Sequence, residues 1–218
     1  MVLRLLAATG VATSLFGSSA FGGSPAPVPA PPPPPPQERI VIDSVAVNGT
    51  GCPEGTAAVA VSPDNTAFTV TYSNYLAQVG PGASPTDFRK NCQLTLLVHV
   101  PSGYTYAIVS ADYRGFASLA TGASGTQRAR YHFQGDPRTT TATHHFKGGF
   151  NGDWQTTDTA PAAALAFAPC GEERNLDITT ELQVDRGTSG PGDTSFLEMD
   201  STDGTVKTVY HLTLRHCP

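Results

Sequence analysis

The sequence has few charged side chains and lacks the short motifs of several well-known active sites. Charged residues make up 14% of the 218 positions, and there is one tryptophan. No G-x-S-x-G segment occurs, which argues against a serine hydrolase with a nucleophile elbow. No C-x-x-C pair occurs, which argues against a structural zinc site. Beyond the N-terminal region, no run of ~20 apolar residues is present that could span a bilayer.

The N-terminus has the pattern of a secretory signal. Arg4 is the one charge before Glu38, an apolar run follows it, and Ser18 and Ala20 stand where a signal peptidase needs small residues. We therefore predict a signal peptide over residues 1–20 and a secreted, extracellular protein without a transmembrane segment in its mature form. Loss of Arg4 leaves 12 basic and 18 acidic side chains, a net charge of −6, so the composition indicates no nucleic-acid partner.

Proline dominates the next segment, residues 21–39. Six consecutive prolines, Pro31 to Pro36, restrict the backbone to polyproline II and offer no amide donors. We predict a disordered, semi-rigid linker that could hold the protein near the cell surface. The folded domain is then expected over residues 40–218, which is an ordinary size for one domain.

Four cysteines lie in that domain, at Cys52, Cys92, Cys170 and Cys217. An even number in an exported chain predicts two disulfides, and three pairings are open. We favour Cys52–Cys92, which would link an opening turn to a strong strand. The second pair, Cys170–Cys217, would then fix the C-terminus to an internal loop.

Alternation of apolar and polar residues dominates the domain and predicts strands. In "NLDITTELQVD", Leu176, Ile178, Leu182 and Val184 fall on one face. Asp203-Gly204 predicts a hairpin turn, and Gly115 predicts a bulge within a long strand. Nine to eleven short strands favour an all-β fold, a single antiparallel two-sheet sandwich resembling a jelly roll.

Aromatic residues provide the candidate ligand-binding positions. Trp154 lies in the loop-like segment "FNGDWQTTD", and Tyr104, Tyr106 and Tyr113 lie along one predicted strand. Together they could form a stacking platform for a sugar. The alternative is that these aromatic side chains pack in the core, as strand aromatics usually do.

Titratable residues give no clear catalytic or metal-binding pattern. His144 and His145 are adjacent in a strand, so their side chains point to opposite faces and cannot share one metal. Asp177 and Glu181 lie too far apart along one strand for a retaining glycosidase. We therefore predict no catalytic residues, no metal and no cofactor. This interpretation would change towards an enzyme if five side chains lay close together in the folded domain: Asp112, Arg114, His132, His145 and Glu181.

Several segments resemble a known family of small secreted proteins of fungi and actinobacteria. They include "VNGTGCPEGTAAVAVSPDNTAFTVTY", "FRKNCQLTLLVHVPSGYTY" and "DSTDGTVKTVYHL". The family is the domain of unknown function numbered four-three-six-zero, and the resemblance covers Ile40 to Cys217, including all four cysteines. The segments "AFAPCG" and "LTLRHC" depart from it by lacking a tryptophan that relatives often carry. The resemblance implies secretion and a β-rich, disulfide-bonded domain, and it implies no activity.

These observations predict a secreted protein of unknown molecular function. We expect a monomeric, non-catalytic module that binds an unknown extracellular or cell-surface ligand. Two alternatives stay open. One is an extracellular hydrolase acting on polysaccharide or another cell-surface polymer, and the other is a structural protein associated with the cell envelope.

The leader pattern generates a first prediction. The secreted protein should begin near Phe21, because the small residues Ser18 and Ala20 define the cleavage site. N-terminal sequencing of protein recovered from the culture medium measures this directly. Recovery of Met1 on a membrane-bound product would contradict it.

Overall fold

The computed structural model describes residues 39–199 and 208–218. The described residues form twelve strands: β1 (Val41–Asn48), β2 (Ala57–Val61), β3 (Ala67–Tyr72), β4 (Leu76–Val79), β5 (Arg89–His99), β6 (Tyr104–Leu119), β7 (Ser124–Phe133), β8 (Thr140–Lys147), β9 (Phe150–Thr159), β10 (Asn175–Asp185), β11 (Ser195–Glu198) and β12 (Thr208–His216). One short 3-10 helix spans Ala162–Ala164. The predicted signal peptide, the proline segment up to Glu38, and the turn at Asp203-Gly204 lie outside the described residues. The described strands on either side of that turn, β11 and β12, both pair with β6 and not with each other, so the predicted hairpin between them is wrong.

The strands form two antiparallel sheets that face each other as a sandwich, which confirms the predicted fold class. The five-stranded sheet has the order β1-β5-β10-β7-β8. The seven-stranded sheet has the order β2-β3-β12-β6-β11-β4, and β9 pairs with β6. Over the described ranges, the structure contains no helix that is long and apolar enough to cross a membrane.

Alternation along the strands sets which side chains enter the core. In β10, Leu176, Ile178, Leu182 and Val184 are buried against the opposite sheet, as the sequence predicts. Large aromatic side chains pack in the same core. From the seven-stranded sheet they include Phe68, Tyr106, Tyr113 and Tyr210, and β7 of the five-stranded sheet adds Tyr131 and Phe133. The core is therefore rich in tyrosine, and both sheets contribute to it.

Both disulfides pair as favoured from the sequence. Cys52 and Cys92 are fully buried and join the loop after β1 to β5. Cys170 and Cys217 join the loop before β10 to the residue that follows β12. No free cysteine is present in the described residues. Each bridge is expected to contribute about 2–4 kcal/mol, mainly by restricting the unfolded chain.

The predicted bulge at Gly115 is wrong. Gly115 pairs regularly with Trp154, and the irregularity lies six residues earlier, where Val109 is the extra residue opposite His211 and Leu212. Gly115 is required for a different reason. A Cβ atom there would lie 1.9 Å from the backbone oxygen of Glu198 and 2.6 Å from the indole ring of Trp154. The glycine therefore permits close packing of Trp154 over β6.

This close approach generates a second prediction. Gly115→Ala should lower the free energy of unfolding by about 1–3 kcal/mol, because the added methyl group overpacks a site bounded by backbone. Gly192→Ala is the matched control, since a Cβ atom there meets nothing within 4 Å. Urea denaturation followed by circular dichroism measures both variants. Equal urea midpoints for the two variants would contradict the prediction, because they would mean that β6 and Trp154 move apart without cost.

Candidate functional site

The aromatic residues predicted as a stacking platform lie mostly in the core. Tyr106, Tyr113 and Trp154 are 2%, 0% and 5% exposed. Trp154 also lies in strand β9 rather than in a loop. Tyr104 is half-buried and packs on His216 with 4.2 Å between ring centroids. These four residues therefore present no shared exposed surface on which a sugar ring could stack.

The titratable residues singled out from the sequence lie on the outer faces of both sheets. Glu181 pairs with Arg89 and lies 3.6 Å from Arg128. His132 lies 3.4 Å from Asp177 on the same outer face. Glu181 and His132 therefore contact oppositely charged or ionisable partners on the outer face of the five-stranded sheet.

Two other singled-out residues belong to the seven-stranded sheet. Asp112 accepts a hydrogen bond from Thr157 and lies 2.9 Å from Nε2 of His211. Arg114 is on the same strand and is exposed. The structure thus divides the five residues between two sheets and does not bring them together. Within the described ranges, no group of three or more metal-ligating side chains is arranged to hold an ion.

The adjacent histidines diverge as predicted, and one of them points between the sheets. His145 faces outward, with Nδ1 3.3 Å from the Thr126 hydroxyl. His144 faces inward, and its Nε2 lies 2.6 Å from Oδ1 of Asp158. Since an ionised carboxylate cannot donate, the imidazole N–H donates in this contact. The pair joins β8, at the edge of one sheet, to β9 in the other.

Asp158 is the centre of a hydrogen-bonded chain that crosses the sandwich. Its side chain is 9% exposed. Its Oδ2 accepts a 2.7 Å hydrogen bond from the Tyr131 hydroxyl, and that hydroxyl contacts the hydroxyl of Tyr113. The chain therefore runs from His144 through Asp158 and Tyr131 to Tyr113. Such a network holds the carboxylate in one orientation, because each member restricts the next.

The electrostatics of this chain keep its tyrosines protonated. Burial raises the pKa of Tyr113 well above its usual value, and the charges of Tyr131 and Asp158 act in the same direction. Burial is also the largest cause that raises the pKa of Tyr131, and Tyr210 and Asp158 add to it. A raised pKa keeps the proton on the Tyr131 hydroxyl, which donates it to Oδ2 of Asp158.

A pocket of about 240 Å³ lies beside Asp158, between β6, β7, β8 and β9. The loop that carries the 3-10 helix closes one side of it. Its lining is mainly apolar. The residues that form it are Ile108, Val109, Ser110, Ala111, Tyr131, His132, Phe133, Thr140, Thr141, Ala142, Asp158, Thr159, Ala160, Pro161, Ala164, Ala166 and Leu176. An apolar pocket with a fixed polar group in its wall is the usual form of a small-molecule site.

A second recess of about 500 Å³ lies beside the Cys170–Cys217 disulfide. Its charged groups are exposed, with side-chain exposures of 73% for Glu173 and 64% for Asp43 beside the recess. His99 lies 3.1 Å from each of these carboxylates. Solvent screens such groups, so this recess offers a weaker polar anchor than Asp158 does.

Sequence reasoning missed Asp158 and Tyr131. The signal was present in "DWQTTDTA", where alternation puts Asp158 on the same face as Trp154. Assignment of this segment to a loop concealed it. An acidic residue on the inward face of a strand indicates a buried partner, because an unpaired buried charge is costly.

Comparison with known proteins identifies relatives without a known activity. A family model described as Domain of unknown function (DUF4360) matches residues 38–217. An uncharacterized secreted protein of Arthroderma benhamiae is 34% identical over 183 residues, which cover 83% of this chain and 73% of that protein. This relative and the two disulfides support the secreted localisation predicted from the leader.

Two solved structures resemble this chain remotely. TmCBM61 in complex with β-1,4-galactotriose has a TM-score of 0.31 and 10% identity, over 79% of this chain and 88% of that chain. The cowpea mosaic virus top component has a TM-score of 0.25 and 11% identity, over 82% and 90% of the two chains. At these scores neither likeness bears on what this protein binds.

The buried tyrosines generate a third prediction, on pH dependence. Burial raises the pKa of Tyr72 to about 12 and that of Tyr75 and Tyr210 well above 10. The unfolded chain releases these protons near pH 10, whereas the folded domain retains them. The tyrosines therefore stabilise the fold fully below pH 10, and this stability is lost as the pH rises further.

Absorbance at 295 nm and circular dichroism, recorded together from pH 8 to 13, test this prediction. We expect most of the tyrosinate signal to develop in step with unfolding. Reversible ionisation of several of the seven tyrosines near pH 10, with an unchanged circular dichroism spectrum, would contradict it.

Proposed function

The chain belongs to the family Domain of unknown function (DUF4360), and we propose that it is a non-catalytic extracellular module that binds a small apolar molecule between its two sheets. The pocket beside Asp158 is the observation that carries the proposal. It combines a mainly apolar lining with one hydrogen-bonded carboxylate. Strand β9 supplies the carboxylate, and the lining comes from strands and from the loop with the 3-10 helix.

The pocket favours a compact ligand. Its volume of about 240 Å³ lies below the ~300–1,000 Å³ of sites that take drug-sized molecules. Ile108, Phe133 and Leu176 contribute apolar surface from three different strands. Burial of a ligand against them gains roughly 25 cal/mol per Å² of apolar area removed from water. A molecule of one or two rings would use most of this surface.

The position of the pocket supports access from solvent. β8 is an edge strand of the five-stranded sheet, and β9 pairs with β6 alone among the described strands. The two strands lie on the same side of the sandwich, joined by the turn at Gly148-Gly149. A ligand could therefore enter between the sheet edges without the separation of paired strands.

The arrangement supports binding rather than hydrolysis. Hydrolysis of a polysaccharide generally uses two carboxyl groups that flank the scissile bond. Asp158 is the one carboxylate among the described residues that line the pocket. Both of its oxygens already have protein partners, and Tyr131 is held as a donor to one of them. This geometry suits an anchor for a ligand better than a general acid or base.

A fourth prediction tests the pocket with the dye 1-aminonaphthalene, whose emission rises in apolar surroundings. The wild-type protein should bind the dye saturably, with a rise in fluorescence. Ala142→Trp should abolish this rise, because the indole ring fills the pocket. Thr143→Trp is the matched control, because it places the same ring on the opposite face of β8. Equilibrium fluorescence titration measures all three proteins.

Changes in the amide chemical shifts of the wild-type protein, measured by NMR, provide a test that needs no variant. On addition of 1-aminonaphthalene, the largest shifts should fall on residues 108–111, 131–133 and 140–142. Shifts confined to other surfaces, or equal dye binding by Ala142→Trp and Thr143→Trp, would refute the proposed site.

A further inference from the structure

The Asp158 carboxylate belongs to the wall of the pocket and has lone pairs that its two side-chain partners do not use. An ionised carboxylate has about four lone-pair sites. His144 uses one of them at Oδ1, and the Tyr131 hydroxyl uses one at Oδ2. Asp158 lines the pocket, so the remaining sites can accept a hydrogen from a bound molecule. Because the group accepts and does not donate, the ligand has to supply the hydrogen.

Charge around the pocket disfavours an anionic ligand. Among the described lining residues, none is a lysine or an arginine. His132 lines the pocket, but it lies 3.4 Å from Asp177 on the outer face of its sheet. His144 already contacts Asp158. A ligand carboxylate or phosphate would therefore lose its hydration and meet the negative charge of Asp158 without a free cation to compensate.

Two protein contacts hold Asp158 in a fixed position for this role. Tyr131 approaches from β7 in one sheet, and His144 approaches from the neighbouring β8. Asp158 itself belongs to β9 in the other sheet. Since three strands determine its position, the carboxylate can meet a ligand without the cost of ordering a mobile side chain.

We propose that the pocket selects a compact, mainly apolar molecule that is uncharged or cationic and carries one hydroxyl or N–H group, which donates a hydrogen bond to Asp158. The inference rests on the proposed binding function and specifies its ligand class. The nearly buried position of the carboxylate makes this hydrogen bond stronger than it would be at the surface.

A matched ligand series tests the inference. Indole and benzofuran have nearly the same shape, and only indole has an N–H donor. Each is titrated against wild-type protein that has been saturated with 1-aminonaphthalene, and displacement of the dye is measured by fluorescence. Indole should displace the dye at a concentration at least about tenfold lower than benzofuran, since a hydrogen bond to a charged acceptor contributes this much. Indole-2-carboxylate should be weaker than both.

Variants assign the selectivity to one residue. Asp158→Asn replaces the carboxylate by an amide of the same shape, so the indole preference should fall to about threefold or less, and indole-2-carboxylate should gain affinity. Asp153→Asn is the control, because it removes the same charge from an exposed position on the same strand. It should leave the preference unchanged.

The outcomes separate the two proposals. Absence of dye binding to the wild-type protein would overturn the binding function itself. Dye binding with equal displacement by indole and benzofuran would leave the pocket as a binding site and overturn the role of Asp158. The comparison of ligands uses the wild-type protein alone, so it stays decisive even if Asp158→Asn does not fold.

Discussion

Burial of tyrosine rings between the two sheets is the constraint on which the rest of the structure depends. A tyrosine contributes a large apolar surface, but its hydroxyl loses water on burial and needs a new partner. Tyr75 finds one in Thr180, 3.1 Å away in the opposite sheet. Tyr131 finds one in Asp158. Among the described residues, the buried hydroxyls of Tyr72, Tyr106 and Tyr210 have no hydrogen-bond partner, so packing of their rings has to offset that cost. Asp158 supplies an acceptor where Tyr131 crosses the side of the sandwich.

Much of the fold follows from local patterns in the sequence. Alternation in "NLDITTELQVD" predicts both the strand and its buried face, because one residue in two must enter the core. The even number of cysteines predicts two disulfides, but it leaves three pairings open, and the structure selects the favoured one. The strand order does not follow, since alternation along a strand carries no information about which sheet the strand joins. The pairing of β10 with both β5 and β7 is an example.

The candidate site was harder to predict because it depends on contacts between sheets. His144 and Asp158 are 14 residues apart, but the chain passes from one sheet to the other at Gly148-Gly149 between them. The predicted aromatic platform failed for a related physical reason. Rings such as Tyr113 and Trp154 gain more from burial in the core than from exposure, so they lie on the inner faces of β6 and β9.

The two disulfides stand in different relations to the pocket, and this difference has a physical consequence. Cys52–Cys92 fixes the side where β1 passes to β2, away from the edge strand β8. Cys170–Cys217 anchors the loop whose Ala164 and Ala166 line the pocket, and Thr105 donates a hydrogen bond to the backbone oxygen of Ala168 in that loop. One wall of the pocket is thus fixed covalently, whereas the side between β8 and β9 is joined by the contact of His144 with Asp158. A rigid wall opposite a hydrogen-bonded edge lets a ligand enter at the edge while it binds to a surface formed in advance.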